Sequence, residues 1–210
     1  MIPLREKTPI RRTATTKTPA GDRWTEHKLD LKEDFNCRCG YCDSYDGYKN
    51  TYFEVDHFVP KDFIKLTGSI SLTLYSNLVY SCKFCNNAKR AKWPSQSEHV
   101  FNDGNEGFID PCDVDYDKQF YRTDDGGIMW MTNLGRWMFS EAFKFDERQS
   151  AIKILWNLSR LKQVINTLTI VLNNYIEDGE EYQQIKNKIG DFCFEYFKFH
   201  EELIEYYNSN

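Results

Sequence analysis

The sequence predicts an α+β protein: a cysteine-knuckled, strand-bearing module followed by a C-terminal antiparallel helical hairpin. Three observations carry this reading. Two CxxC pairs, Cys39-Gly40-Tyr41-Cys42 and Cys82-Lys83-Phe84-Cys85, bracket a short stretch. That stretch reads strand, loop, strand, helix. Beyond residue 148, apolar residues alternate steps of three and four through two long segments, the signature of paired amphipathic helices.

Residues 1–36 form a basic N-terminal arm, rich in Thr, Pro, Arg and Lys over 1–22 and without periodicity, so it is expected to be extended and disordered alone. A short helix is expected within 23–36. Residues 37–48 form a knuckle. Tyr52–Phe58 is a strand running into the turn at Pro60. Residues 61–76 read as a loop with Gly68, and Leu78-Val79-Tyr80 as a second strand. Cys85-Asn86 then opens a helix of about two turns that Pro94 stops. Residues 94–135 are largely polar, with Phe120-Tyr121 and Ile128–Met131 pairing as a hairpin around the turn Asp124-Asp125-Gly126-Gly127.

The module spans 37–147 and the helical hairpin 148–210. Its first seam is Ala151, Ile154, Leu158, Leu161, Ile165, Leu168, Leu172 and Tyr175. Asp178-Gly179 breaks it, and Tyr182, Ile185, Ile189, Phe192, Tyr196, Phe199, Leu203 and Tyr206 repeat it. Gly190 inside the second helix costs about 1 kcal/mol against Ala, which packing must offset. The seams read as core. The wider apolar face made by Cys193 and Phe197 leaves room for a partner surface or a homo-oligomer.

The 210 residues carry 40% hydrophobic and 28% charged side chains, ordinary for a globular protein, and a net charge of -5. Positive charge concentrates in residues 1–28 (+4) and 61–92 (+5), while 177–210 is acidic (-6). Phosphate-binding charge thus sits around the knuckled stretch. The basic N-terminus has no apolar leader core, and no run reaches the length of a membrane span, so a cytoplasmic protein is expected. In that compartment paired cysteines read as metal ligands rather than disulfides.

Cys39, Cys42, Cys82 and Cys85 are at the spacing that closes a tetrahedral structural Zn²⁺ site. Such a site has no open position and activates no water. Cys37 is the spare at the first knuckle, and Cys112 and Cys193 read as packed thiols. The chemistry is expected from Asp56 and His57 at a strand end and Asn86 at a helix start. A neutral His accepts a proton near pH 7, and Asp and Asn oxygens suit Mg²⁺ or Mn²⁺. His27, His99 and His200 are isolated and read as structural or solvated. Lys92 and Trp93 are within reach of a nucleic acid, though Trp93 reads better as core.

Glu54-Val55-Asp56-His57-Phe58-Val59-Pro60-Lys61, Asn77-Leu78-Val79 and Cys82-x-x-Cys85-Asn86-x-x-Lys89, with the upstream Cys39-x-x-Cys42, resemble the zinc-bearing HNH endonucleases, the ββα-metal or His-Me finger nucleases. The resemblance covers residues 37–93. It implies a zinc-stapled ββα-metal module with His57 as general base and Asp56 and Asn86 as ligands of the catalytic ion. It makes Asn77 the residue that orients the loop and its His, with Lys61, Lys89 and Arg90 facing phosphate or substrate. Where this family often has His, this chain has Asn86, with Asn87 as the adjacent competitor. The family's contact with the DNA backbone near the minor groove implies low sequence specificity.

Phe108-Ile109-Asp110-Pro111, the Gly126-Gly127 turn and Ile152-x-x-Leu155-x-Asn157-Leu158-x-x-Leu161 are similar to HNH nucleases of bacterial anti-phage systems, especially the Septu type that works with an ABC-like ATPase. Asp110 also reads simply as a turn residue. The expected function is metal-dependent hydrolysis of DNA in antiviral defence with such a partner. Two rivals stay open: a non-catalytic zinc module that binds nucleic acid or protein, and an RNase.

Overall fold

A computed structural model describes residues 1–68, 70–177 and 179–209. The chain forms two compact units, Met1–Arg148 and Gln149–Asn210.

The first unit contains β1 (Ile2–Pro3), α1 (Lys28–Asp34), β2 (Phe53–His57), α2 (Lys61–Thr67), β3 (Leu78–Cys82), α3 (Lys83–Lys89), α4 (Val114–Asp117), β4 (Phe120–Arg122), β5 (Ile128–Trp130) and α5 (Asn133–Trp137). β2 and β3 pair antiparallel, with His57 opposite Leu78 and Phe53 opposite Cys82. Every residue of β3 is buried, so this short ribbon lies inside the unit rather than at its rim. α3 follows β3 without a loop, completing the strand–strand–helix order the sequence suggests.

The loop expected over 61–76 holds α2 instead. Pro60 precedes its first turn, Gly68 closes it in the left-handed conformation at φ 70°, and Ile64 is its buried anchor. The hairpin expected around residue 124 is present as β4 and β5, and β1 from the arm joins it as a third, edge strand in the order β1-β4-β5.

The arm is not a loose tail. Arg5 donates to the carbonyls of Gly40 (3.1 Å) and Pro111 (2.6 Å) and pairs with Asp117 at 2.7 Å. Arg11 donates to Leu78 O at 2.8 Å and to both oxygens of Asp110 at 3.0 and 2.9 Å. Arg12 pairs with Asp30, Glu33 and Asp34. Three of the arm's cations are thus tied to carboxylates of the chain itself. Asp110 is an anchor for the arm as well as a turn residue.

The aromatic core gathers Phe58, Trp93, Phe108, Phe143 and Phe145; Trp93 stacks on Phe108 with centroids 5.6 Å apart. Trp93 is therefore a core residue, and Lys92 donates to the Glu141 carbonyl.

The second unit is a hairpin of α6 (Gln149–Leu172) and α7 (Glu180–Asn208). Its seam follows the expected spacing: Ile165, Leu168 and Leu172 on α6, and Ile185, Ile189, Phe192, Tyr196 and Phe199 on α7, are all half-buried. Asp178 of the expected break lies outside the described residues. Gly190 is exposed, and apart from its own helix backbone no atom of the described residues lies within 4 Å of where a Cβ would stand, so no packing repays its flexibility. Cys193 is exposed, not packed. Among the described residues no helix is long and apolar enough to cross a membrane.

Candidate active site and metal centre

The two CxxC knuckles close on one another. The Sγ atoms of Cys39, Cys42, Cys82 and Cys85 all lie within 4.8 Å of one another, and all four residues are buried. Cys42 and Cys82 sulfurs are 3.8 Å apart. Sulfurs at the corners of a tetrahedron with arms of about 2.3 Å sit about 3.8 Å apart, so the cluster fits a metal of zinc's size. Cys37 is outside the group, half-buried, with its backbone at φ 57°. Cys112 is also half-buried. Burial pushes its thiol up to about 12, which suits a packed thiol rather than a reactive one.

A cleft of about 520 Å³ opens beside this staple. Asp56, His57 and Asn86 all line it, together with Glu54, Lys61 and Arg90. Strand alternation places Glu54 and Asp56 on one face of β2, and helical spacing places Asn86 and Lys89 on one face of α3. The two faces meet as two rungs. Asn86 Nδ2 donates to Glu54 Oε2 at 2.7 Å, and Lys89 Nζ lies 3.2 Å from Asp56 Oδ2. Asn86 is thereby oriented with its amide nitrogen on Glu54 and its side-chain carbonyl oxygen without a partner among the described residues.

Asp56 Oδ2 also accepts from the Tyr41 hydroxyl at 2.6 Å, leaving Oδ1 without a partner among the described residues. Tyr41 sits inside the first knuckle, between Cys39 and Cys42. The structural cluster therefore reaches the candidate ligand through one hydrogen bond. Burial, and then Asp56, pushes the Tyr41 phenol well above its ordinary value, so it stays a donor. Uncommitted oxygens on Asp56 and Asn86, with the Glu54 carboxylate beside them, fit a hard divalent ion.

His57 ends β2. Its Nε2 lies 2.9 Å from the Leu72 carbonyl, which only accepts, so Nε2 carries the hydrogen and Nδ1 keeps the lone pair. Burial lowers the His57 pKa below the ordinary value, which keeps the ring neutral near pH 7. Asn77 ties down the turn that follows. Its Oδ1 accepts from Val59 N at 2.8 Å and its Nδ2 donates to Val59 O at 3.2 Å.

Lys89 differs from the reading that turned it toward phosphate. It is fully buried and donates to the His57 carbonyl at 2.7 Å, so it braces the strand end from beneath. Lys61 and Arg90 do stand at the cleft.

Sequence reasoning missed Tyr41 and Glu54 as supporting groups, and Trp24 and Lys28 as cleft residues. Glu54 carried a signal, since it precedes Asp56 by two on a strand. Trp24 carried none. It arrives on a 3₁₀ turn, Trp24–His27, and meets His57 edge-on at 5.0 Å, while Lys61 Nζ stands 5.3 Å from its ring centroid.

Residues 39–92 match the family model described as HNH endonuclease. The chain is also similar to two proteins named Septu protein PtuB. One, from Bacillus mycoides (strain KBAB4), is 26% identical over 206 residues, covering 79% of this chain and 66% of the relative. The other, from Bacillus thuringiensis, is 37% identical over 75 residues, covering 36% of this chain and 27% of the relative. The chain thus spans less than two thirds of the length of either relative. No solved structure matches. The knuckles, the ββα order and the β2 and α3 residues of the cleft fall within the matched residues, and the segment 39–92 is a domain of the HNH endonuclease family.

Proposed function

We propose that this protein is a metal-dependent endonuclease that hydrolyses phosphodiester bonds of DNA. The observation that carries the reading is one cleft lined by His57, Asp56 and Asn86, in which His57 Nδ1 and one oxygen each of Asp56 and Asn86 have no hydrogen-bond partner among the described residues.

His57 Nδ1 takes the proton of the attacking water while Nε2 stays fixed on Leu72. Asp56 and Asn86 would hold a Mg²⁺ or Mn²⁺ ion, which supplies charge stabilisation at the phosphate and leaving oxygen. Asn77 keeps the post-strand turn, and with it His57, in place. Lys61, Arg90 and Lys28 offer cations to flanking phosphates. Zn²⁺ is the ion that suits the four cysteines.

In the cell the chain would be a cytoplasmic effector of bacterial anti-phage defence, acting with a protein partner such as an ABC-like ATPase. Its similarity to the two Septu proteins supports this.

A plasmid-nicking assay with Mg²⁺ or Mn²⁺ tests the chemistry. Wild type is expected to nick, and His57→Ala to lose at least about 100-fold in rate, the scale of a lost general base. Equal cleavage by both sinks the assignment. Cleavage of single-stranded RNA with DNA left intact makes the protein an RNase instead.

A further inference from the structure

Arg148 closes the first unit, immediately before α6. Its Nη2 lies 3.1 Å from Cys85 Sγ and 4.0 Å from Cys82 Sγ. Its Cζ stands 5.2 Å from the Phe84 ring centroid, between the two cysteines in sequence. Its Nε is shielded from solvent without a hydrogen-bond partner. Among the described residues no carboxylate pairs with it.

A shielded guanidinium needs an anion, because removing a charge from water without one is costly. The anions at hand are the sulfurs, and neutral thiols would not serve. Four thiolates around a divalent ion leave a net charge of about -2 in a buried site. Arginine suits such a place better than lysine, since its planar fork is weakly hydrated and can span two acceptors.

We propose that Arg148 is the outer-sphere partner of the four-cysteine metal site. It donates to the Cys85 and Cys82 thiolates, offsets one unit of their charge, and fixes the knuckle from which α3 starts. N–H donation draws electron density from sulfur, which slows attack on the thiolate by protons and competing ligands. Cys85 lies in the first turn of α3 and Asn86 directly follows it, so a held Cys85 also steadies the helix that carries the candidate ligand of the catalytic ion. The inference rests on the four cysteines holding a metal.

The test uses the full chain purified with its metal. Elemental analysis of the wild type judges the metal reading first: metal-free wild-type protein overturns that reading and the role of Arg148 together. With zinc bound, release to excess 4-(2-pyridylazo)resorcinol is timed for wild type, Arg148→Lys and Arg148→Met. Arg148→Met is expected to release zinc about 10-fold faster or more, with Arg148→Lys between the two. In the Co²⁺-substituted protein, the sulfur-to-cobalt charge-transfer band should move to lower energy in Arg148→Met, because a thiolate without its donor is more electron-rich. Unchanged release and an unchanged band in folded Arg148→Met overturn the proposal. Should that variant fail to fold, Arg148→Lys decides: release and band equal to wild type count against the proposal, and faster release with a shifted band counts for it.

Discussion

Asp56 has its two oxygens assigned to different tasks. Oδ2 takes the Tyr41 hydroxyl and the Lys89 ammonium, and Oδ1 has no partner among the described residues. Tyr41→Phe removes one of the two restraints without touching a metal ligand. The variant is expected to need about 10-fold more Mg²⁺ for half-maximal nicking, the usual scale for a lost outer-sphere contact, while its zinc content stays that of wild type. Metal titration of nicking, with zinc analysis alongside, checks this; an unshifted Mg²⁺ requirement removes Tyr41 from the site. Asp30 does comparable duty for the arm. Burial alone would raise its pKa, but Thr16 N at 2.7 Å, Thr16 Oγ1 at 2.9 Å and Arg12 together bring it below the ordinary value. A carboxyl depressed on folding contributes stability above its unfolded pKa of about 3.9 and loses it as pH falls through the lower folded value. Asp30→Asn should therefore be less stable than wild type at pH 7, with the gap closing below about pH 4. Urea unfolding at several pH values measures it, and a gap that is constant with pH would contradict the assignment.

Short elements in the first unit depend on punctuation, long ones in the second on periodicity. α2 has Pro60 before it and Gly68 after it, both visible in the sequence, yet its seven residues hold only Ile64 as a buried anchor. One apolar contact makes no period, so the segment read as loop. α6 and α7 repeat their apolar residues over many turns, and their seams were legible apart from Tyr175, which is exposed beyond the end of α6 at Leu172. The cysteine spacing and the Asp56-His57 pair were equally legible, because a knuckle and a dipeptide are local. Tyr41 on Asp56 spans 15 residues, Glu54 on Asn86 spans 32, and Arg11 on Asp110 spans 99. No spacing rule encodes such contacts; they exist only once the strands and helices have met. Gly190 in α7 is where local propensity goes uncompensated, as a Cβ there meets nothing within 4 Å. Gly190→Ala is expected to stabilise the helix by about 1 kcal/mol. A rise of a few degrees in the melting temperature would show it, whereas a fall would mean that the exposed face is occupied.

At the scale of the molecule the two units rest on different foundations. The four-cysteine cluster lies within the first, while the second is a helical hairpin with none of the four. Structural metal sites contribute folding free energy directly, so stripping the metal should act unevenly. On chelation, amide exchange is expected to accelerate across β2, β3 and α3, with α6 and α7 keeping their protection. Hydrogen exchange read by mass spectrometry resolves the two, and uniform loss along the chain would show that the hairpin shares the first unit's dependence on metal.

The arginines of the arm also decide what could be excised from this chain as a portable cassette. The family match runs from 39 to 92, but backbone acceptors inside it are served from beyond both borders. Arg5 serves Gly40 and Arg11 serves Leu78 from upstream; Tyr116 serves Tyr41 and Arg122 serves Cys42 from downstream. A gene fragment trimmed to the motif would keep all four cysteines and the β2 and α3 residues of the cleft, yet lose the side-chain donors that tie down four of its carbonyls. The transplantable piece of this nuclease-family domain is therefore set by who donates to its backbone, and it is much longer than the stretch that identifies it.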